Sequence, residues 1–84
     1  MKESAFQTKV KHYLEDKGAY VINVFGGGNF QTAGIPDLVI CYKGIFLALE
    51  LKVGYNKASE LQLIHLERIN AAEGIGLVFK HTPQ

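Results

Sequence analysis

Apolar residues recur with two different periods along this chain, and the change of period separates helices from strands. Residues 2–17 predict an amphipathic helix, because apolar side chains recur there at helical spacing, and Gly18 is a suitable residue to end it. Residues 19–25 are β-branched and aromatic, which is typical of a strand. The apolar stripe of the helix consists of Phe6, Val10, Tyr13 and Leu14.

A β-hairpin is predicted in the middle of the chain. Residues 37–42 and 45–52 are largely apolar, and Lys43-Gly44 between them suits a two-residue hairpin loop. Such a loop fixes the register, so that residue 42 faces 45, residue 40 faces 47 and residue 37 faces 50. Both faces of this hairpin are apolar, which favours a central position that is covered on both sides.

The last third of the chain predicts a second helix and a short strand. Ser59 and Gln62 have the spacing of a capping box, so the helix is expected to begin there and to extend to about Ala72. Its apolar positions are Leu61, Ile64, Leu66 and Ile69. Gly74 and Gly76 are predicted to bracket a turn, and residues 77–79 to form the last strand.

The resulting α-β-β-β-α-β order indicates an α/β fold with a mixed central sheet flanked by helices, in one domain over residues 1–84. A chain of 84 residues buries a small core, so a homodimer is expected. The net charge of +1 gives no support for nucleic-acid binding through bulk charge. No apolar stretch approaches the roughly 20 residues of a membrane helix, and the one cysteine, Cys41, is expected to be buried and unpaired. These features predict a soluble cytoplasmic protein.

The predicted register brings three charged residues together. Asp37 lies opposite Glu50, with Cβ atoms about 5 Å apart. Lys52 points to the same face as Glu50, because strand side chains alternate. Two facing carboxylates repel each other unless a positive charge lies between them, and hard divalent cations bind carboxylate oxygens. Two acids and an ammonium group on one face suggest a site that cleaves phosphodiesters.

With Glu3, the segment Gly34-Ile35-Pro36-Asp37, the segment Glu50-Leu51-Lys52 and Gln62, the chain resembles the PD-(D/E)xK nuclease superfamily. Within it, the chain looks most like the small VRR-NUC domain in its stand-alone phage form, and it is similar to archaeal Holliday-junction resolvases. This resemblance covers residues 3 to about 80 and implies a restriction-endonuclease-like core.

The resemblance implies a magnesium- or manganese-dependent endonuclease. Asp37, Glu50 and the backbone carbonyl of Leu51 would bind the metal, and Glu3 would complete its shell directly or through water. Lys52 would orient or help to deprotonate the attacking water, and Gln62 would contact Lys52 or the substrate. Phosphodiester hydrolysis fits such a set, because a metal polarises the phosphoryl group and activates water.

The expected partner is DNA, branched or in a four-way junction, and the expected enzyme is a homodimer acting in a host bacterial cytoplasm if a phage encodes it. The glycine-rich segment from Gly26 to Gly34 is predicted to be a flexible loop that orders on DNA. Candidate nucleic-acid contacts are Asn29, Gln31, Thr32 and Lys57.

Two other functions are compatible with the same residues. In the first alternative, the chain keeps the nuclease fold and serves as a catalytically silent module that binds DNA or protein in a phage replication or repair complex. In the second alternative, the chain is a small interaction protein in which the motif is coincidental. Each charged residue also has a structural interpretation: Glu3 as a helix-start acid, Gln62 as a capping residue, and Asp37, Glu50 and Lys52 as strand-end charges.

Overall fold

The computed structural model describes residues 1–24 and 33–82, and these ranges form two helices and four strands. The helices are Glu3–Asp16 (α1) and Glu60–Ala71 (α2). The strands are Tyr20–Asn23 (β1), Leu38–Tyr42 (β2), Ile45–Val53 (β3) and Ile75–His81 (β4). The predicted α-β-β-β-α-β order is confirmed.

The four strands form one mixed sheet in the order β1-β2-β3-β4. Neighbouring strands are antiparallel from β1 to β3, whereas β3 and β4 are parallel and are connected through α2. Helix α1 packs against β1 and β3 on one face of the sheet, and α2 packs against β3 and β4. The predicted fold class, a mixed sheet with flanking helices, is therefore confirmed.

The β2–β3 hairpin has the register that the sequence predicted. Tyr42 pairs with Ile45, and Ile40 pairs with Leu47. The loop residues Lys43 and Gly44 have φ angles of 51° and 80°. Positive φ at both central positions is the signature of a type I′ turn, whose twist matches that of the flanking strands.

The predicted helix ends are also confirmed. Gly18 follows α1 with a φ of 95°, as expected of a glycine just past a helix. At the start of α2, the Ser59 Oγ accepts a hydrogen bond from the Gln62 backbone N–H at 3.2 Å, and Gln62 Oε1 accepts one from the Ser59 N–H at 2.8 Å. This reciprocal pair is the predicted capping box.

The main core lies between α1 and the sheet. Its buried side chains are Phe6, Val10, Val21, Leu38, Ile40 and Leu51. The Phe6 ring stacks on Phe79 of β4 with 5.6 Å between the ring centroids, which places the start of α1 over the ends of β3 and β4. Tyr13, which the sequence analysis placed in the apolar stripe, is mostly exposed.

Two expectations about the last strand are wrong. Strand β4 is seven residues long instead of three, and Gly76 lies inside it instead of ending a turn. A Cβ atom at Gly76 would lie 2.9 Å from the Leu66 carbonyl oxygen, so this glycine allows α2 to approach the sheet closely. The turn is formed before Ile75, around Glu73, whose φ is 71°.

The expectations that Cys41 is buried and that the hairpin is covered on both sides are also wrong. Cys41 is exposed, and Phe46, its register partner on β3, is 47% exposed. Helix α2 contacts β3 and β4, so it leaves the neighbouring part of the same face uncovered within the described residues. In those residues no helix is long and apolar enough to cross a membrane.

Candidate metal and phosphodiester site

The segment that leads into Asp37 is fixed by close packing against α2. Gly34 has a φ of 85°, and a Cβ atom there would lie 2.7 Å from Leu61 Cγ and 3.1 Å from a His65 ring carbon. Only glycine satisfies both the backbone conformation and the close approach. Pro36, one residue before Asp37, is buried. The first turns of α2 therefore position the segment from Gly34 to Asp37.

Asp37 is held by hydrogen bonds from β3 and from the residue that follows β1. Its backbone carbonyl accepts a hydrogen bond from Val24 N–H at 2.8 Å, and its Oδ2 accepts one from Leu51 N–H at 2.8 Å. Counted from the hairpin loop, the last pair of the β2–β3 ladder is Leu38 with Leu49, so Asp37 and Glu50 lie one position beyond it. The Asp37 side chain thus satisfies a β3 amide that lies just beyond the ladder.

Glu50 is the one buried charged residue in the described ranges, with 1% of its surface exposed. Its Oε2 lies 3.1 Å from Lys52 Nζ, and Lys52 itself is only 13% exposed. The other carboxylate oxygen, Oε1, is buried and has no hydrogen-bond partner among the described residues. A buried carboxylate oxygen without a partner is costly, and binding a cation or a proton would offset that cost.

The surroundings of Glu50 raise its pKa from an ordinary 4.5 to about 7. Burial is the largest cause, and the neighbouring charge of Asp37 adds to it. The ion pair and hydrogen bond with Lys52 act in the opposite direction but do not compensate. Near neutral pH the site therefore accommodates a proton on Glu50, next to Asp37.

The structure brings Asp37, Glu50 and Lys52 together, as the hairpin register predicted. The Asp37 and Glu50 carboxylates are neighbours, and within the described residues the Lys52 ammonium group satisfies only one oxygen of Glu50. Such a donor set is suited to a hard divalent cation, because Mg²⁺ is commonly held by one or two carboxylates with water and phosphate oxygens as further ligands.

The other proposed site residues lie further from this cluster or are engaged elsewhere. Glu3 is the first residue of α1 and is half-buried. In residues 1–24 and 33–82, no group of three or more His, Cys, Asp or Glu side chains is placed to hold a metal. Gln62 uses its Oε1 in the capping box. The backbone N–H of Leu51 binds Asp37, and its side chain is in the core.

The predicted nucleic-acid contacts are placed only in part. Asn29, Gln31 and Thr32 lie outside the described residues, as does most of the glycine-rich segment. Lys57 is exposed in the connection between β3 and α2. Their roles remain predictions.

Two further polar residues of the sheet were not singled out by the sequence analysis: Lys80 on the face that carries the site, and Asn23 on the opposite face, which it shares with Leu38. Asn23 pairs with Leu38, and its Oδ1 is buried without a partner among the described residues. Lys80 pairs with Lys52 across β3 and β4. A polar residue in an apolar strand was the only signal for Asn23, and Lys80 needed the β4 register, which the sequence did not give.

Comparisons with known proteins support the fold. No protein-family model and no curated protein sequence matches the chain. Among solved structures, the chain is similar to Hjc, a Holliday junction resolvase from Archaeoglobus fulgidus, with 21% identity, a TM-score of 0.72 and coverage of 95% of this chain and 68% of that one. It is also similar to a VRR_NUC domain, with 23% identity, a TM-score of 0.76 and coverage of 95% and 84%. The resemblance predicted from the sequence is confirmed at the level of the fold: the chain has the architecture of these nuclease domains.

Proposed function

We propose that this protein is a divalent-metal-dependent endonuclease that hydrolyses phosphodiester bonds in branched DNA. The observation that carries the proposal is the Asp37–Glu50–Lys52 cluster, in which a buried carboxylate oxygen has no partner within the described residues. A binding module with no catalytic role has no need to keep a buried acid next to a second acid, because the pair destabilises the fold.

The residues present fit Mg²⁺ or Mn²⁺. Asp37 and Glu50 would hold the metal, together with the Leu51 backbone carbonyl, and Glu3 would act through a bridging water because it is not part of a compact ligand group in the described structure. When bound, the metal supplies Lewis-acid polarisation of the phosphoryl group and lowers the pKa of water.

Lys52, the Leu51 N–H and Gln62 have separate roles in this proposal. Lys52 is fixed by Glu50 at 3.1 Å, so its ammonium group is held where it can orient the attacking water and offset phosphate charge. The Leu51 N–H fixes the Asp37 carboxylate at 2.8 Å. Gln62 uses its Oε1 in the capping box, and its amide N–H groups are the donors with which it would contact substrate.

The choice of a branched substrate rests on the fold. A structure with this fold, Hjc, is a Holliday junction resolvase. A four-way junction requires two symmetric cuts, which a twofold dimer supplies by presenting two sites to one substrate. The proposal therefore includes a homodimer.

A cleavage panel tests the proposal. Purified protein is mixed with duplex, single-stranded, flap and four-way-junction DNA, with Mg²⁺, Mn²⁺ or EDTA. We expect metal-dependent cleavage of the junction, and loss of at least about a thousandfold in rate in Asp37→Asn and in Glu50→Gln, because each removes a metal ligand.

Two exposed acids provide matched controls. Asp16→Asn and Glu67→Gln make the same chemical changes on the helices, away from the cluster, and are expected to cleave like the original protein. Metal-dependent binding without cleavage of any substrate would contradict the enzyme and favour the silent DNA-binding module.

A further inference from the structure

The parallel pairing of β3 and β4 places two lysines side by side. Lys52 and Lys80 are register partners, and neighbouring strands lie about 4.8 Å apart. Like charges at paired positions destabilise a sheet. Two lysines are therefore neighbours on β3 and β4, just as two carboxylates, Asp37 and Glu50, are neighbours at β2 and β3.

Both lysines project from the face of the sheet that carries the site. On β4, Gly76 packs against Leu66 of α2, and Val78 is the register partner of Glu50. Because side chains alternate along a strand, Lys80 shares that face with Gly76 and Val78. The charges therefore follow the strand order, from Asp37 at the start of β2, through Glu50 and Lys52 on β3, to Lys80 on β4.

Among the described residues, only one of the two lysines has an acidic partner. Lys52 is paired with Glu50 and is largely buried, whereas Lys80 is exposed. In residues 1–24 and 33–82 the ion pairs are Lys11–Glu15 and Lys52–Glu50, so Lys80 has no acidic partner there.

We propose that Lys80 binds a backbone phosphate of the nucleic acid, next to the phosphate that is cleaved. This inference rests on the proposed function and adds a direction to it: the substrate strand crosses the sheet from β2 toward β4. The metal ligands and Lys52 act on the cleaved phosphate, and Lys80, one strand further, neutralises its neighbour. A lysine on a long, flexible stem is suited to this contact as a point charge.

A structural role for Lys80 predicts different behaviour. Strand β4 is an edge strand in the described sheet, and a charged residue on an edge discourages pairing with other chains. That role requires no contact with nucleic acid, so it predicts no change in the salt dependence of DNA binding.

The test measures binding of a labelled four-way DNA junction between 50 and 300 mM salt, in the Asp37→Asn background to prevent cleavage. Lys80→Gln is expected to make the slope of log K against log [salt] shallower by about 1 for each protomer engaged, and to weaken binding about three- to tenfold at 100 mM salt. Lys43→Gln, the same change at the exposed hairpin loop, is expected to leave the slope unchanged.

Two further measurements separate this contact from damage to the fold or the metal site. With Asp37 intact, Lys80→Gln is expected to keep the original stabilisation by Mn²⁺ and to melt at the original temperature or slightly above it, because it removes the repulsion between Lys80 and Lys52. An unchanged salt slope, or a loss of stabilisation by Mn²⁺, would overturn the inference. If the original protein binds the junction but does not cleave it, the proposed endonuclease fails while the salt slope still decides the role of Lys80.

Discussion

The carboxyl group of Glu50 lowers the stability of the fold when it is ionised without a metal, yet the proposed metal site requires it to be ionised. It is almost fully buried, it faces Asp37, and one of its oxygens has no partner in the described residues. Burial and the neighbouring charge of Asp37 raise its pKa to about 7, so the folded chain holds this proton to a higher pH than the unfolded chain does. A divalent cation would replace the proton and allow both carboxylates to be ionised, so cation binding is expected to release a proton.

The raised pKa predicts how stability depends on pH without metal. The unfolded chain loses the Glu50 proton near 4.5 and the folded chain near 7. Between these values the folded chain binds more protons, so the free energy of unfolding falls as the pH rises, by at most about 3 kcal/mol. Urea denaturation in EDTA at pH 5 and at pH 8 measures this difference.

The variant Glu50→Gln isolates the contribution of this residue. It is expected to flatten the pH dependence, to be at least as stable as the original protein at pH 8 in EDTA, and to lose stabilisation by Mn²⁺. Glu67→Gln on the outer side of α2 should retain both effects. Equal pH dependence in the original protein and Glu50→Gln would show that another group titrates.

At the scale of elements, the packing of α2 determines where Asp37 lies. Gly34 and Gly44 both have φ angles near 80–85°, but only Gly34 has neighbours within 4 Å of a built Cβ atom. Gly44→Ala is expected to cost about 1 kcal/mol for the backbone conformation alone. Gly34→Ala adds overpacking against Leu61 and is expected to cost about 2–4 kcal/mol.

The cleavage rate also distinguishes Gly34→Ala from Gly44→Ala. Gly34→Ala is expected to lower the cleavage rate, because it displaces the segment that carries Asp37, whereas Gly44→Ala should leave the rate unchanged at temperatures where the protein is folded. Equal losses of stability in the two variants, measured by denaturation, would contradict a specific contact between Gly34 and α2.

The end of α2 offers a stabilising substitution. Glu73 has a φ of 71°, and the N–H of Gly74 donates to the carbonyl of Ile69, so a non-glycine residue occupies the left-handed position after the helix. Glu73→Gly is expected to raise the free energy of unfolding by about 0.5–1 kcal/mol. The same change at Glu67, inside α2, should lower it by about 1 kcal/mol. Thermal or urea denaturation of both variants tests this contrast.

The elements that the sequence predicted well are those with strong local signals. Lys43-Gly44 defined the hairpin register, and the register alone predicted that Asp37 would meet Glu50. The length of β4 was not predictable, because Gly76 is a close-packing glycine and its requirement comes from Leu66, ten residues earlier. The exposure of Cys41 likewise depends on which strands α2 covers, and no local pattern reports that.

Over the whole molecule, the net charge is only +1, but several charged residues are clustered at one end of the sheet. The acids at the ends of β2 and β3 and the lysines on β3 and β4 lie at one end of the sheet, opposite the hairpin loop. Under the proposed function, this arrangement would place the metal ligands beside the phosphate-binding lysine. The acids and lysines of this cluster cancel in the total, so the net charge does not report them.

The most direct test of the central claim is an anomalous diffraction experiment on crystals soaked in Mn²⁺. We predict an anomalous peak between the carboxylates of Asp37 and Glu50, with metal–oxygen distances of about 2.0–2.2 Å. The same soak of Glu50→Gln crystals should show no peak. Carboxylates that point apart, with no anomalous peak between them in the original protein, would contradict the account.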